Sequence, residues 1–140
     1  MTTYYNLPVY KQSYDLLLEI FKLTKEFNRE YKYTIGEELK KETTAMIINI
    51  YRANSSNNKV DYIVSARENI EVIRLLIRLL KDLKQIQVAK IARLNLAIEE
   101  LSKQLTGWGN YSKVNNAKGP EPFVAKVTVG APNQFSNLLA

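Results

Sequence analysis

The chain has 140 residues, 46% of them hydrophobic, which suits one domain with a core of its own. It contains neither cysteine nor histidine, so disulfides, zinc sites with ordinary ligands, histidine acid–base catalysis and cysteine nucleophiles are excluded together. Twenty Lys and Arg against 14 Asp and Glu leave a net charge of +6 and a pI near 9.4, a field that favours an anionic partner.

The opening stretch MTTYYNLPVYKQSYD has no basic patch ahead of a continuous apolar core, as a signal peptide would, and no run approaches the roughly 18 apolar residues that span a bilayer. A cytoplasmic protein with no membrane contact, no cofactor and no metal is the expectation. The first helix is predicted from Leu7 or Pro8 to about Glu30, since proline is tolerated in a first turn where its missing N–H would have no helical partner. Tyr10, Tyr14, Leu17 and Phe21 form one apolar line along it, and Leu16, Ile20, Leu23, Phe27 and Tyr31 form a second beside it, so a wide buried face is expected. The second helix opens at Thr34, three residues before Glu37. That is the spacing of a capping box, in which each residue's side chain satisfies the other's backbone N–H. Ile35, Leu39, Thr43, Met46, Ile50 and Ala53 then follow on one face. The helix stops in Asn54-Ser-Ser-Asn-Asn, whose short polar side chains compete with the helix backbone.

The third helix, about Val60 to Ile86, carries a core stripe of Ile63, Ala66, Ile70, Ile73, Ile77 and Leu80. Val72, Leu75, Leu76, Leu79 and Leu83 add apolar surface outside that stripe. A helix apolar on more than one face meets a second partner, so Val72, Leu75, Leu79 and Leu83 read as a subunit interface of a homo-oligomer. The fourth helix, about Val88 to Leu105, carries Ile91, Leu94, Ile98, Leu101 and Leu105, and is predicted to end at Gly107. Short connections between helices of this length give an all-α, antiparallel up-down four-helix bundle over residues 1–106. Residues 107–140 hold three of the four prolines and no helical period. They are predicted to form an extended or irregular C-terminal tail, with Val124, Val127 and Val129 hinting at a short extended piece.

The chain offers little for catalysis. Glu38 with Glu42, and Glu68 with Glu71, lie a helical turn apart and could share a magnesium ion. Yet the acids alternate with bases, Glu26 with Arg29, Glu71 with Arg74, Asp82 near Arg78, which is the pattern of a solvated face with local ion pairs. There is no phosphate-cradling glycine loop; Gly36 and Gly107 stand alone and read as helix-terminus glycines. The chain is not expected to be an enzyme. The basic residues are better ordered. Arg67, Arg74, Arg78 and Lys81 fall on one side of the third helix, with Lys84 close by and Lys90 and Arg93 on the fourth. Guanidinium groups grip phosphate or carboxylate with two parallel hydrogen bonds, so these residues are the candidate nucleic-acid or partner site. Lys22, Lys25, Arg29 and Lys32 make another line, offset by Glu26 and Glu30.

Three segments carry a family resemblance: Tyr31-Lys-Tyr-Thr-Ile-Gly-Glu at the second-helix entry, Ile73-Arg-Leu-Leu-Ile-Arg-Leu-Leu in the third helix, and Leu105-Thr-Gly-Trp-Gly at the end of the fourth. With them, residues 8 to 112 resemble the accessory variability proteins (Avd) of diversity-generating retroelements. The resemblance implies a small basic four-helix bundle that forms a pentameric ring. Such a ring would bind the element's reverse transcriptase and template RNA and support error-prone copying without being the polymerase. It also matches Arg74 and Arg78 to an arginine pair in the family's third helix. A sister family, encoded by intervening sequences of large-subunit ribosomal RNA genes, shares the bundle; only Asn49-Ile of its usual second-helix ending is present here. A scaffold that binds only protein, and a helical nucleotide hydrolase built on the carboxylate pairs, are the readings from other classes.

Overall fold

The computed structural model describes residues 8–115. They form five helical elements: α1 (Pro8–Thr24), the single turn α2 (Arg29–Lys32), α3 (Ile35–Ser55), α4 (Lys59–Asp82) and α5 (Val88–Asn115). No strand occurs among the described residues. The four long helices close around one core: α3 packs on α1 and α4, α5 packs on α4 and completes the ring against α1. The core stripes expected for α3, α4 and α5 are buried, including Leu39, Met46 and Ile50, all six α4 residues from Ile63 to Leu80, and Ile91 to Leu105 on α5. Three buried hydroxyls of α1 and α3 are satisfied within their own helices. Ser13 donates to the Tyr10 carbonyl at 2.8 Å, Thr24 to Phe21 at 3.1 Å and Thr43 to Leu39 at 2.7 Å.

The structure corrects several expectations. The first helix stops at Thr24 and not near Glu30, and Asn28 takes an extended ψ of 148° before α2 begins. Phe27, in this break, is buried in the core, so the chain bends to bury it while turning towards α3. Only one of the two apolar lines on α1 is fully covered: Leu16, Ile20 and Leu23 are buried, whereas Tyr14 and Phe21 are exposed.

The capping box at the start of α3 is not made. Thr34 donates its hydroxyl to the Glu30 carbonyl at 2.6 Å, because α2 leaves that carbonyl one turn away, and Glu37 pairs with Lys40 at 2.9 Å. Gly36 lies in the first turn of α3, where a Cβ would meet the Tyr31 carbonyl at 3.2 Å and the Phe27 ring at 3.4 Å. Its bareness lets the break fold against the helix.

The fourth long helix does not end at Gly107. It runs through Gly107, Trp108 and Gly109 to Asn115, because Leu101, Leu105, Trp108 and Ser112 continue the buried stripe. Burying the Trp108 side chain contributes on the order of 4 kcal/mol, against about 1 kcal/mol lost for each glycine inside a helix. Residues 107–115, read from sequence as the start of an irregular tail, are therefore helical. The extended piece at Val124 to Val129 lies outside the described residues.

Candidate nucleic-acid and partner interface

The outward side of α4 is apolar, as expected from its sequence. Val64, Val72, Leu75 and Leu79 are exposed, Leu75 to 65%, while Leu83 is half-buried and Leu76 packs against the core. Arg67, Arg74 and Arg78 line one edge of this strip, but their surroundings differ. Arg74 is half-buried. Its Nη1 donates to Glu99 of α5 at 3.0 Å and its Nε lies 3.5 Å from Glu71, so this guanidinium ties α4 to α5. Arg78 has an 81% exposed side chain that only grazes Asp82 at 4.0 Å. Arg67 is exposed and shares a shallow groove with Val64, Glu68 and Glu71.

The remaining candidates gather at one end of the bundle. Helix α4 ends in a Schellman turn: the Gln85 N–H reaches the Leu80 carbonyl and the Lys84 N–H the Lys81 carbonyl, both at 2.9 Å. Lys84 occupies the left-handed position of this turn with φ of 59°, where glycine is the usual residue. The turn is pinned from the other loop, since the Asn28 N–H donates to Gln85 Oε1 at 2.8 Å. Lys81, Lys84 and Lys90 line a cleft of ≈ 650 Å³ with Gln85, Gln87 and Glu26. Arg93 faces a different opening, of ≈ 330 Å³ between α1 and α5, which it shares with Lys90, Asp15, Glu19 and Glu100. Among the described residues, no carboxylate comes within 4.0 Å of Lys81, Lys84, Lys90 or Arg93. The seven basic candidates thus form not one stripe but an α4 edge, partly neutralised, and a terminal cluster.

Two features escaped the sequence reading. A second outward apolar face exists, built from Tyr14, Leu18 and Phe21 of α1 with Ile48 and Tyr51 of α3. Its signal is the line Tyr10, Tyr14, Leu17 and Phe21, which periodicity alone places in a wide buried face. The other is Lys59, the buried first residue of α4. Its ammonium donates to the carbonyls of Ala53, Asn54 and Ser56, each at 3.1 Å, and so caps the end of α3. Burial pushes this lysine below its ordinary pKa.

The carboxylate pairs do not converge. Glu42 accepts from Asn69 at 2.7 Å across the α3–α4 seam, and among the described residues no group of three acidic side chains is placed to hold a metal ion. No helix among them is long and apolar enough to cross a membrane. What the fold and surface define is a small, basic, all-helical bundle with apolar outer faces. Residues 8–112 match the protein family described as bAvd-like, and since that span covers most of the chain, the protein belongs to this family. It is the family that the three sequence segments resemble. No curated protein matches the chain.

Proposed function

We propose that this chain is the non-catalytic accessory protein of a diversity-generating retroelement: it binds the element's reverse transcriptase and template RNA and supports mutagenic cDNA synthesis. Membership of the bAvd-like family over residues 8–112 carries the reading. The excess of positive charge supports it, because an RNA partner needs cations that no internal carboxylate has already claimed. Arg67, Lys81, Lys84, Lys90 and Arg93 supply them, and Arg74 and Arg78 contribute while paired with Glu99 and Asp82. Contacts of this kind go to phosphate and position the partner without reading base sequence.

The working form is a homopentameric ring in the cytoplasm, the four helices of each bundle running up and down alternately and the ring closed through Val72, Leu75, Leu79 and Leu83. The exposed apolar strip of α4 supports this closure. Charge complementarity then sets encounter and orientation with the polymerase. Co-expression with the reverse transcriptase encoded beside it, followed by a pull-down in moderate salt with and without template RNA, tests the proposal. Association is the expected result. Failure to associate in both conditions, with magnesium-dependent nucleoside triphosphate hydrolysis by the purified chain, overturns it.

A further inference from the structure

Resting on the RNA-binding reading above, we propose that the α4–α5 end of the bundle is the site of that binding: a cleft for the phosphate backbone of a single-stranded RNA segment, gripped by Lys81, Lys84 and Lys90. Three ammonium groups from two helices and their connecting turn line one concave surface. Each lacks a carboxylate within 4.0 Å among the described residues, whereas on the α4 edge Arg74 has two and Arg78 has one. Glu26 is the acid in the lining, so the cleft remains net positive.

The cleft is also built before any ligand arrives. The Schellman bonds and the Asn28–Gln85 hydrogen bond fix the backbone under the lysines, so little ordering is left to oppose binding. Its size and floor select the form of the ligand. An opening of ≈ 650 Å³ floored by the buried Leu23 and Ile86, with the exposed Val88 in its lining, admits a strand whose riboses lie on apolar carbon, while an A-form duplex presents its phosphates across a wide, rigid ridge. The amides of Gln85 and Gln87 offer hydrogen bonds to a 2′-hydroxyl.

The test is fluorescence anisotropy of the full chain with a labelled, mixed-sequence single-stranded RNA and with a duplex of equal length, over a salt series. Each lost phosphate contact should lower the log–log salt slope by about 0.7, so Lys81→Gln, Lys84→Gln and Lys90→Gln together should flatten it by about 2 and weaken binding about 50-fold at 0.15 M salt. Arg67→Gln with Arg78→Gln, on the α4 edge, should weaken binding less than the lysine triple does. Lys84→Gly separates binding from folding: it relieves the left-handed backbone, so thermal stability should rise while affinity for RNA falls. If the triple lysine variant binds like the parent and the arginine pair variant does not, RNA binding stands and this location is wrong. Tighter binding of the duplex also overturns the single-stranded assignment. If the unaltered chain binds neither RNA, alone or with the polymerase, the RNA reading itself fails and this site with it.

Discussion

Lys59 shows how far one side chain can depart from the surface role its type suggests. In sequence it is one more lysine after a polar stop; in the fold its ammonium is the cap that α3 lacks, holding three carbonyls that would otherwise end a helix unpaired. Lys59→Met keeps the length of the chain and removes the donors, and should cost about 2–3 kcal/mol in urea unfolding, since hydrogen bonds from a charged group to buried carbonyls are among the stronger ones. The pH dependence follows from the depressed pKa. The folded chain releases this proton at lower pH than the unfolded chain, whose lysine keeps its ordinary value of 10.5, so the unfolded state binds more protons in the interval just below that value. Stability should therefore rise as pH climbs towards 10.5, and the gap between parent and Lys59→Met should widen. A gap that narrows over that interval would contradict the burial effect. Nothing in the sequence marks this residue, because the signal is a return of the chain onto three carbonyls, which periodicity does not contain.

At the level of helices, the periodic core was legible and the punctuation was not. Core positions repeat every three or four residues, and that repetition survives in the buried faces of α3, α4 and α5. Ends depend on competition between weak local preferences and burial. Gly107 looks like a stop, but burial of Trp108 pulls the helix onward; Lys84 does not look like a stop, yet it holds the left-handed turn that ends α4. The basic cluster was readable as residues and not as a place, because the cleft arises only when the loop at Asn28 meets Gln85. If Gly107 is an exposed helix-interior residue, Gly107→Ala should stabilise the protein by about 0.5–1 kcal/mol and raise Tm by a few degrees; a loss of stability would place it at a helix end. The seam between α3 and α4 offers a second check. Asn49 donates to Asn69 at 2.9 Å, and Asn69 to Glu42 at 2.7 Å, so the three form a polar chain in an otherwise apolar contact. Asn69→Leu strands both partners and should cost about 1–3 kcal/mol by denaturant titration.

For the molecule as a whole, the two apolar outer faces matter more than either alone. Helices α1 and α4 each pack on α3 and α5, so the strip on α4 and the exposed Tyr14, Leu18 and Phe21 of α1 look away from one another across the core. Two different faces on opposite sides suit head-to-tail association, which closes into a ring when the rotation permits. The parent should then scatter light as about five times the 16.1 kDa chain mass. Leu75→Asp spoils one face and Leu18→Asp the other, and each variant alone should be a monomer. Mixed, they retain one intact face apiece and should form a one-to-one pair that grows no further. Mixtures that stay monomeric would rule out pairing of unlike faces.

The continuous helix α5 gives the molecule a direction. It begins beside the lysines of the α4–α5 turn, and its other end, near the contact of Gly109 with Ile63, lies at the start of α4. At a rise of about 1.5 Å per residue, its 28 residues separate those ends by roughly 40 Å. Cyclic symmetry keeps like ends together. A ring with its axis along the helices would therefore be a washer with unlike rims, one carrying every copy of the lysine turn and the other every copy of residue 115. Anything held on the first rim would be kept at a fixed height from anything attached to the second, whichever copy does the holding.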